Sequence, residues 1–228
     1  MQIAILIYDR LTALDAVGPY EVLSRLPDAE LTFVANEPGP TEAGRHSPSA
    51  SIPVSVSTDT GRLALVADAS LADVPHPDVV LVPGGPGQAA LMDDGPVHEW
   101  LRAAHERSTW TASVCTGSLL LAAAGLLAGR RATSHWTALD ELGRLGAEPV
   151  AERVVFDGKL VTAAGVSAGI DMALALAARI AGEQVAQAIQ LGIEYDPQPP
   201  FDAGSPRKAP APLVEALRAR ARFESVAG

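Results

Sequence analysis

The sequence predicts an α/β fold built on a mainly parallel, doubly wound sheet. Short runs rich in β-branched residues alternate with helical segments along the chain. The runs at 3–8 and 78–82 are continuously apolar, the pattern of strands covered on both faces. The 20 glycines and 18 prolines concentrate in the loops between such segments, as ordinary punctuation.

Residues 3–8, followed by Asp9, read as a buried first strand. Residues 12–26 read as a helix that contains Gly18-Pro19. Proline removes a backbone donor and crowds the preceding turn, so either the helix proper starts at Pro19 or residues 15–18 make an irregular first turn. A second strand is expected at 31–35 and a loop at 36–51. The alternation of Ile52, Val54 and Val56 marks a half-exposed strand at 52–57, with another at 63–67. A buried strand at 78–82 runs into Pro83-Gly84-Gly85-Pro86-Gly87. Residues 95–107 form an amphipathic helix with Val97, Trp100, Leu101 and Ala104 on one face.

A strand at 109–114 ends at Cys115, and a helix of small residues follows at 116–127 with Gly129 as its stop. A helix is expected at 137–145. Strands at 154–156 and 159–162 bracket Asp157-Gly158, a strong hairpin signal. Helices follow at 168–181 and 183–191. Residues 195–212, rich in proline and without periodicity, read as an extended arm before a last helix at 213–223. The division expected is a domain over 1–206 and a helical tail over 207–228.

At 228 residues the chain can bury about 70% of its unfolded surface, enough to fold without staples. Its 27 acidic against 17 basic residues, a net charge of −10, argue against nucleic acid or an anionic membrane as partner. One cysteine permits no internal disulfide and no cysteine zinc cluster. The apolar run at 3–8 is too short for a signal core or a membrane span. A cytoplasmic protein is expected.

Three segments carry chemistry. In Ser113-Val114-Cys115-Thr116-Gly117-Ser118 a strand runs into a cysteine and a helix starts at once, the layout of a nucleophile elbow. A helix N-terminus there would favour a thiolate. A buried structural cysteine is the plainer alternative. Pro83-Gly84-Gly85 ends a strand with exposed N–H groups that can form an oxyanion hole, or is a plain turn. No phosphate-binding glycine motif is present. Asp15, among apolar residues after the first strand, is either an N-cap or a carboxyl whose pKa burial raises. By composition alone the N-cap reading is stronger. His135 reads as a hydrogen-bonded core or capping histidine, and Asp171 as a structural acid near a helix start. No histidine shows metal-ligand spacing.

Together with Thr133-Ser134-His135-Trp136, Ala168-Gly169-Ile170-Asp171 and the tail Glu194-Tyr195 to Gly204-Ser205-Pro206, these motifs resemble the DJ-1/PfpI superfamily, most of all its isocyanide (isonitrile) hydratase branch. The resemblance covers nearly the whole chain. It implies a flavodoxin-like three-layer sandwich, a homodimer, and addition of water to a small-molecule isocyanide to give an N-substituted formamide, with no metal or organic cofactor. It places the nucleophile at Cys115 and the acid at Asp15, with Thr116 positioning thiol or water and Gly84, Gly85 and Val166 shaping the pocket. Residues 41–55 stand outside the family pattern, Val166 replaces an expected isoleucine, and Pro86-Gly87-Gln88 replaces a threonine-containing turn. Proteolytic relatives place histidine directly after the nucleophile, where this chain has Thr116, and glyoxalase-type relatives carry glutamate where it has Asp15. A ligand-sensing domain without turnover is the non-enzymatic alternative.

Overall fold

A computed structural model describes residues 1–36 and 55–221. The strands are β1 (Gln2–Leu6), β2 (Glu30–Ala35), β3 (Ser55–Ser57), β4 (Ala64–Val66), β5 (Ala69–Ser70), β6 (Val79–Val82), β7 (Trp110–Val114), β8 (Arg131–Ala132), β9 (Glu148–Pro149), β10 (Val154–Asp157) and β11 (Leu160–Ala163). The helices are α1 (Ala13–Leu23), α2 (Pro96–Arg107), α3 (Gly117–Ala123), α4 (Leu139–Arg144), α5 (Ala168–Ala181), α6 (Glu183–Gly192) and α7 (Ala211–Arg220), with a 3-10 turn over Pro86–Leu91.

Seven strands form the main sheet in the order β10-β11-β7-β6-β1-β2-β5, all pairings parallel except β10 with β11. Helices α1, α5 and α6 pack together on one face, and α2 and α3 cover the other. Burial follows the sequence pattern: Ile3 through Leu6 and Val79 through Val82 are all buried, the lot of central parallel strands. From β1 the chain steps to β2 on one side and later to β6 on the other. The strand order therefore reverses between β1 and β6, where open α/β sheets form a crevice beyond the strand carboxyl ends.

The helix over 12–26 differs from both expected forms. It starts at Ala13 and runs unbroken through Gly18-Pro19 to Leu23. Packing outweighs the missing donor: a methyl on Gly169 of α5 would lie 3.1 Å from the Pro19 ring, so the two helices touch at a glycine and a proline. The small-residue helix α3 stops at Ala123, well short of 127, and Gly125 adopts a positive φ just beyond it. In the hairpin the turn is Gly158-Lys159, one residue later than Asp157-Gly158; Asp157 pairs with Leu160, and Gly158 supplies the positive φ. The last helix begins at Ala211, earlier than expected. The loop over 37–51, the first part of the strand over 52–57, the extra segment over 41–54 and the expected helix end at 223 lie outside the described residues. Among the described residues no helix is long and apolar enough to cross a membrane, and no group of three or more His, Cys, Asp or Glu side chains could hold a metal.

Candidate functional site

Three neighbouring strands deliver the site at their carboxyl ends. Asp15 follows β1, Gly84 and Gly85 follow β6, and Cys115 follows β7. Cys115 has φ +57°, a left-handed conformation costly for a side-chain-bearing residue. The turn is held on both sides. Its N–H donates to the Ala163 and Ala164 carbonyls, and its carbonyl accepts from the Ser118 and Ser134 hydroxyls at 3.1 and 3.0 Å. Gly117 is required behind it, since a methyl there would sit 2.1 Å from the Val82 carbonyl oxygen.

Asp15 is not an N-cap. It sits inside the first turn of α1, fully buried, the only carboxyl buried to that degree among the described residues. Its Oδ2 accepts from the Gly84 N–H at 2.9 Å. Oδ1 is buried without a nitrogen or oxygen partner, and the Cys115 thiol is close enough for each group to shift the other. Burial lifts the Asp15 carboxyl to about 7, against the pull of the Gly84 N–H and the thiol. Burial also raises the Cys115 thiol, and the Asp15 charge raises it further; the backbone N–H groups of Thr116 and Val166 oppose the rise. The expected thiolate at a helix N-terminus is thus corrected. Helix α3 has only 7 residues, and the adjacent carboxyl and the burial outweigh the backbone donors. The resting pair is a thiol beside a carboxyl that titrates near neutrality. Tyr8 donates its hydroxyl to the Pro83 carbonyl at 2.8 Å; burial, and then the nearby Asp15 and Cys115 groups, push its pKa well above the usual value.

The glycine turn does different work from that expected of a free oxyanion hole. The Gly84 N–H is spent on Asp15, and the Gly85 N–H donates to the Thr116 hydroxyl at 3.0 Å. Neither is free for substrate. A methyl on Gly84 would lie 2.5 Å from the Thr116 nitrogen and 3.0 Å from Asp15 Oδ2, so the turn fits only as glycine. The donors aimed at the sulfur are the N–H groups of Thr116 and Val166.

Cys115 opens into a cleft of about 470 Å³ lined also by Thr116, Gly85, Val166, Gln88 and His135. Gly84 and Asp15 lie behind that lining. His135 is a wall residue hydrogen-bonded to Thr137 at 2.6 Å, and burial lowers its pKa. Asp171 is remote. It pairs with Arg153 and accepts from the Tyr195 hydroxyl at 2.7 Å, tying the arm to α5. Two charged lining residues were not picked out from sequence: Arg10 and Arg220. Arg10 follows β1 as Asp15 does, so its place at the sheet edge was a usable signal. Arg220 arrives from α7, and nothing local marks it.

The chain is 43% identical over 221 residues, 97% of this chain and 90% of the relative, to the isonitrile hydratase of Pseudomonas putida. Its fold superposes with a TM-score of 0.87, at 37% identity, on the crystal structure of a ThiJ/PfpI family protein from Pseudomonas syringae, covering 96% of this chain and 85% of that one. Drosophila melanogaster DJ-1beta shares the fold, with a TM-score of 0.73 at 23% identity over 86% of this chain and 98% of that one. The DJ-1/PfpI family pattern matches residues 1–179, from β1 almost to the end of α5 and so across every strand that carries the site. The chain belongs to the DJ-1/PfpI family.

Proposed function

We propose that the protein is an isocyanide hydratase, converting R–N≡C and water into the formamide R–NH–CHO. The observation that carries this reading is the adjacency of the Cys115 thiol and the Asp15 carboxyl. In hydration of an isocyanide the terminal carbon receives both the nucleophile and a proton. A nucleophile and a proton carrier must therefore converge on one atom, and this pair does so. The 43% identity to an isonitrile hydratase supports the same reading.

The steps follow from the resting pair. Ionised Asp15 takes the thiol proton as the sulfur bonds to the isocyanide carbon. It then gives that proton to the same carbon, leaving R–N=CH–S–Cys115 and a regenerated carboxylate. Water adds to the C=N carbon, with one proton passing to nitrogen. Collapse of the tetrahedral carbon breaks the C–S bond, and the hydroxyl proton returns to sulfur. The Thr116 and Val166 N–H groups stabilise the departing sulfur. The Thr116 hydroxyl accepts from Gly85 and so has its own proton for the attacking water.

Histidine is the usual acid–base partner for amide cleavage near neutral pH. Here Thr116 follows the cysteine, and His135 is held by Thr137 with a lowered pKa, which favours hydration over peptidase chemistry. We read the enzyme as a cytoplasmic homodimer; exposed Leu191 and Phe201 on α6 and the arm suit burial against a second copy.

The test is incubation with an aromatic and an aliphatic isocyanide and detection of formamide, beside Cys115→Ala. Formamide from wild type alone is expected. Equal turnover by the variant would overturn the covalent route.

A further inference from the structure

Among the described residues, every charged side chain lining the cleft is an arginine: Arg10, and Arg220 of α7. This is against the grain of a chain with 27 acidic and 17 basic residues. His135 is held neutral near pH 7 by burial. Neither arginine has an acidic partner within ion-pair distance among the described residues. The acids flanking Arg10 are committed elsewhere. Asp9 accepts from the Ser57 N–H at 3.2 Å, and Asp59 accepts from the Thr12 hydroxyl and the Thr60 N–H at 2.9 and 2.8 Å. Asp15 lies behind the wall and presents no carboxyl to the cleft lining.

Arg10 is also fixed in an uncommon backbone state, φ +60°. Its N–H donates to the Ser57 carbonyl at 2.7 Å, and its carbonyl accepts from the Gly87 N–H at 3.2 Å. The residue is thus pinned between β3 and the 3-10 turn. Arg220 stands in the last turn of α7, and the guanidinium of Arg218 in the same turn lies over the Trp136 ring at 5.6 Å. That contact sets α7 against Trp136, between His135 and Thr137 of the cleft wall.

We infer that the substrate is an isocyanide whose nitrogen substituent ends in a carboxylate, with the N≡C group at Cys115 and the carboxylate between Arg10 and Arg220. This rests on the hydratase reading and adds the substrate class. A planar guanidinium fork matches a carboxylate and has little use for a neutral hydrocarbon. Pro86, Ala89, Val166 and Ala221 also line the cleft, which suits a short apolar spacer. The reaction is unchanged by the tail group: water is consumed, the C–H and C=O bonds form at the terminal carbon, and the product is an N-formyl amino acid.

The experiment uses the full chain and compares ω-isocyanoalkanoates of about two to five methylenes with the matching primary amides, which keep length and isocyanide electronics but lack charge. At the best length the acid is expected to exceed the amide in kcat/KM by about tenfold or more, mainly through KM. Raising salt from about 0.05 to about 0.5 M is expected to shrink that ratio, since both arginines are exposed. Arg10→Gln and Arg220→Gln are each expected to lower the ratio severalfold. Arg220→Gln lies on an exposed helix face and does not threaten the fold. Equal kcat/KM for acid and amide, or a ratio untouched by both substitutions and by salt, would overturn the substrate class. Formamide from neither acid nor amide would instead overturn the hydratase reading beneath it.

Discussion

The Gly84 N–H donates to Oδ2 of Asp15 at 2.9 Å, across 69 positions of sequence. A buried carboxyl is thereby held by the turn after the neighbouring strand, with its other oxygen left without a hydrogen-bond partner.

Asp15→Asn keeps an acceptor for Gly84 and removes the charge. The thiol pKa is then expected to fall, because the Asp15 charge is the second cause of its rise after burial. Iodoacetamide labelling of Cys115 at pH 7, slow in wild type, is expected to quicken in the variant. Formamide production is expected to drop by about 10²–10⁴-fold. A variant slow in both assays would mean that Asp15 only shapes the site.

The pH profile reads the same group. In the proposed mechanism the active form has Asp15 ionised beside a protonated thiol. With the carboxyl near 7, kcat/KM is expected to rise through about pH 7 and then level off. The raised thiol gives no falling limb in the mildly alkaline range. A profile already flat at pH 5 would exclude Asp15 as the base.

Stability is expected to run against pH. The folded Asp15 carboxyl titrates at about 7 rather than 3.8, so folded protein holds a proton that the unfolded chain releases. Between about pH 4 and pH 7 that group alone withdraws about 4 kcal/mol of stability as the pH rises. Asp15→Asn is therefore expected to melt higher than wild type at pH 8, with the gap closing towards pH 4. Thermal melts across that range measure it.

Gly84→Ala is expected to damage both fold and function. The added methyl meets the Thr116 backbone at 2.5 Å, which cannot yield as a flexible side chain would. A loss of about 1–3 kcal/mol is expected from the crowding, together with a lower kcat, because Asp15 and Thr116 shift at once. Denaturant melts and turnover on one preparation check both.

Light scattering in solution is expected to give about 47 kDa, twice the 23.6 kDa chain. A mass near that of one chain would count against the dimer.

The central strands and Cys115 were legible because their signals are local. A continuous apolar run marks a covered strand, and strand–Cys–Thr–Gly–Ser marks a sharp turn. The state of Asp15 was open from sequence because its burial depends on α5 and on the turn at Gly84, neither of which is near it in the chain. Pro19 misled for the same reason: its tolerance inside α1 comes from Gly169, 150 positions further on. The glycine turn was located correctly, but only hydrogen-bond geometry shows that its donors are already occupied.

The site is spread over the ends of β1, β6 and β7, which lie side by side in the middle of the sheet. Parallel neighbours are joined only through long crossovers, so these pairings are costly in chain entropy and slow to form. During refolding, helical signal should return before any turnover does. Fraying of the outermost strands, β5 or β10, is expected to leave catalysis untouched, whereas a slip between β6 and β7 is expected to silence it. Enzyme activity is thus a clock for the closing of the sheet's centre.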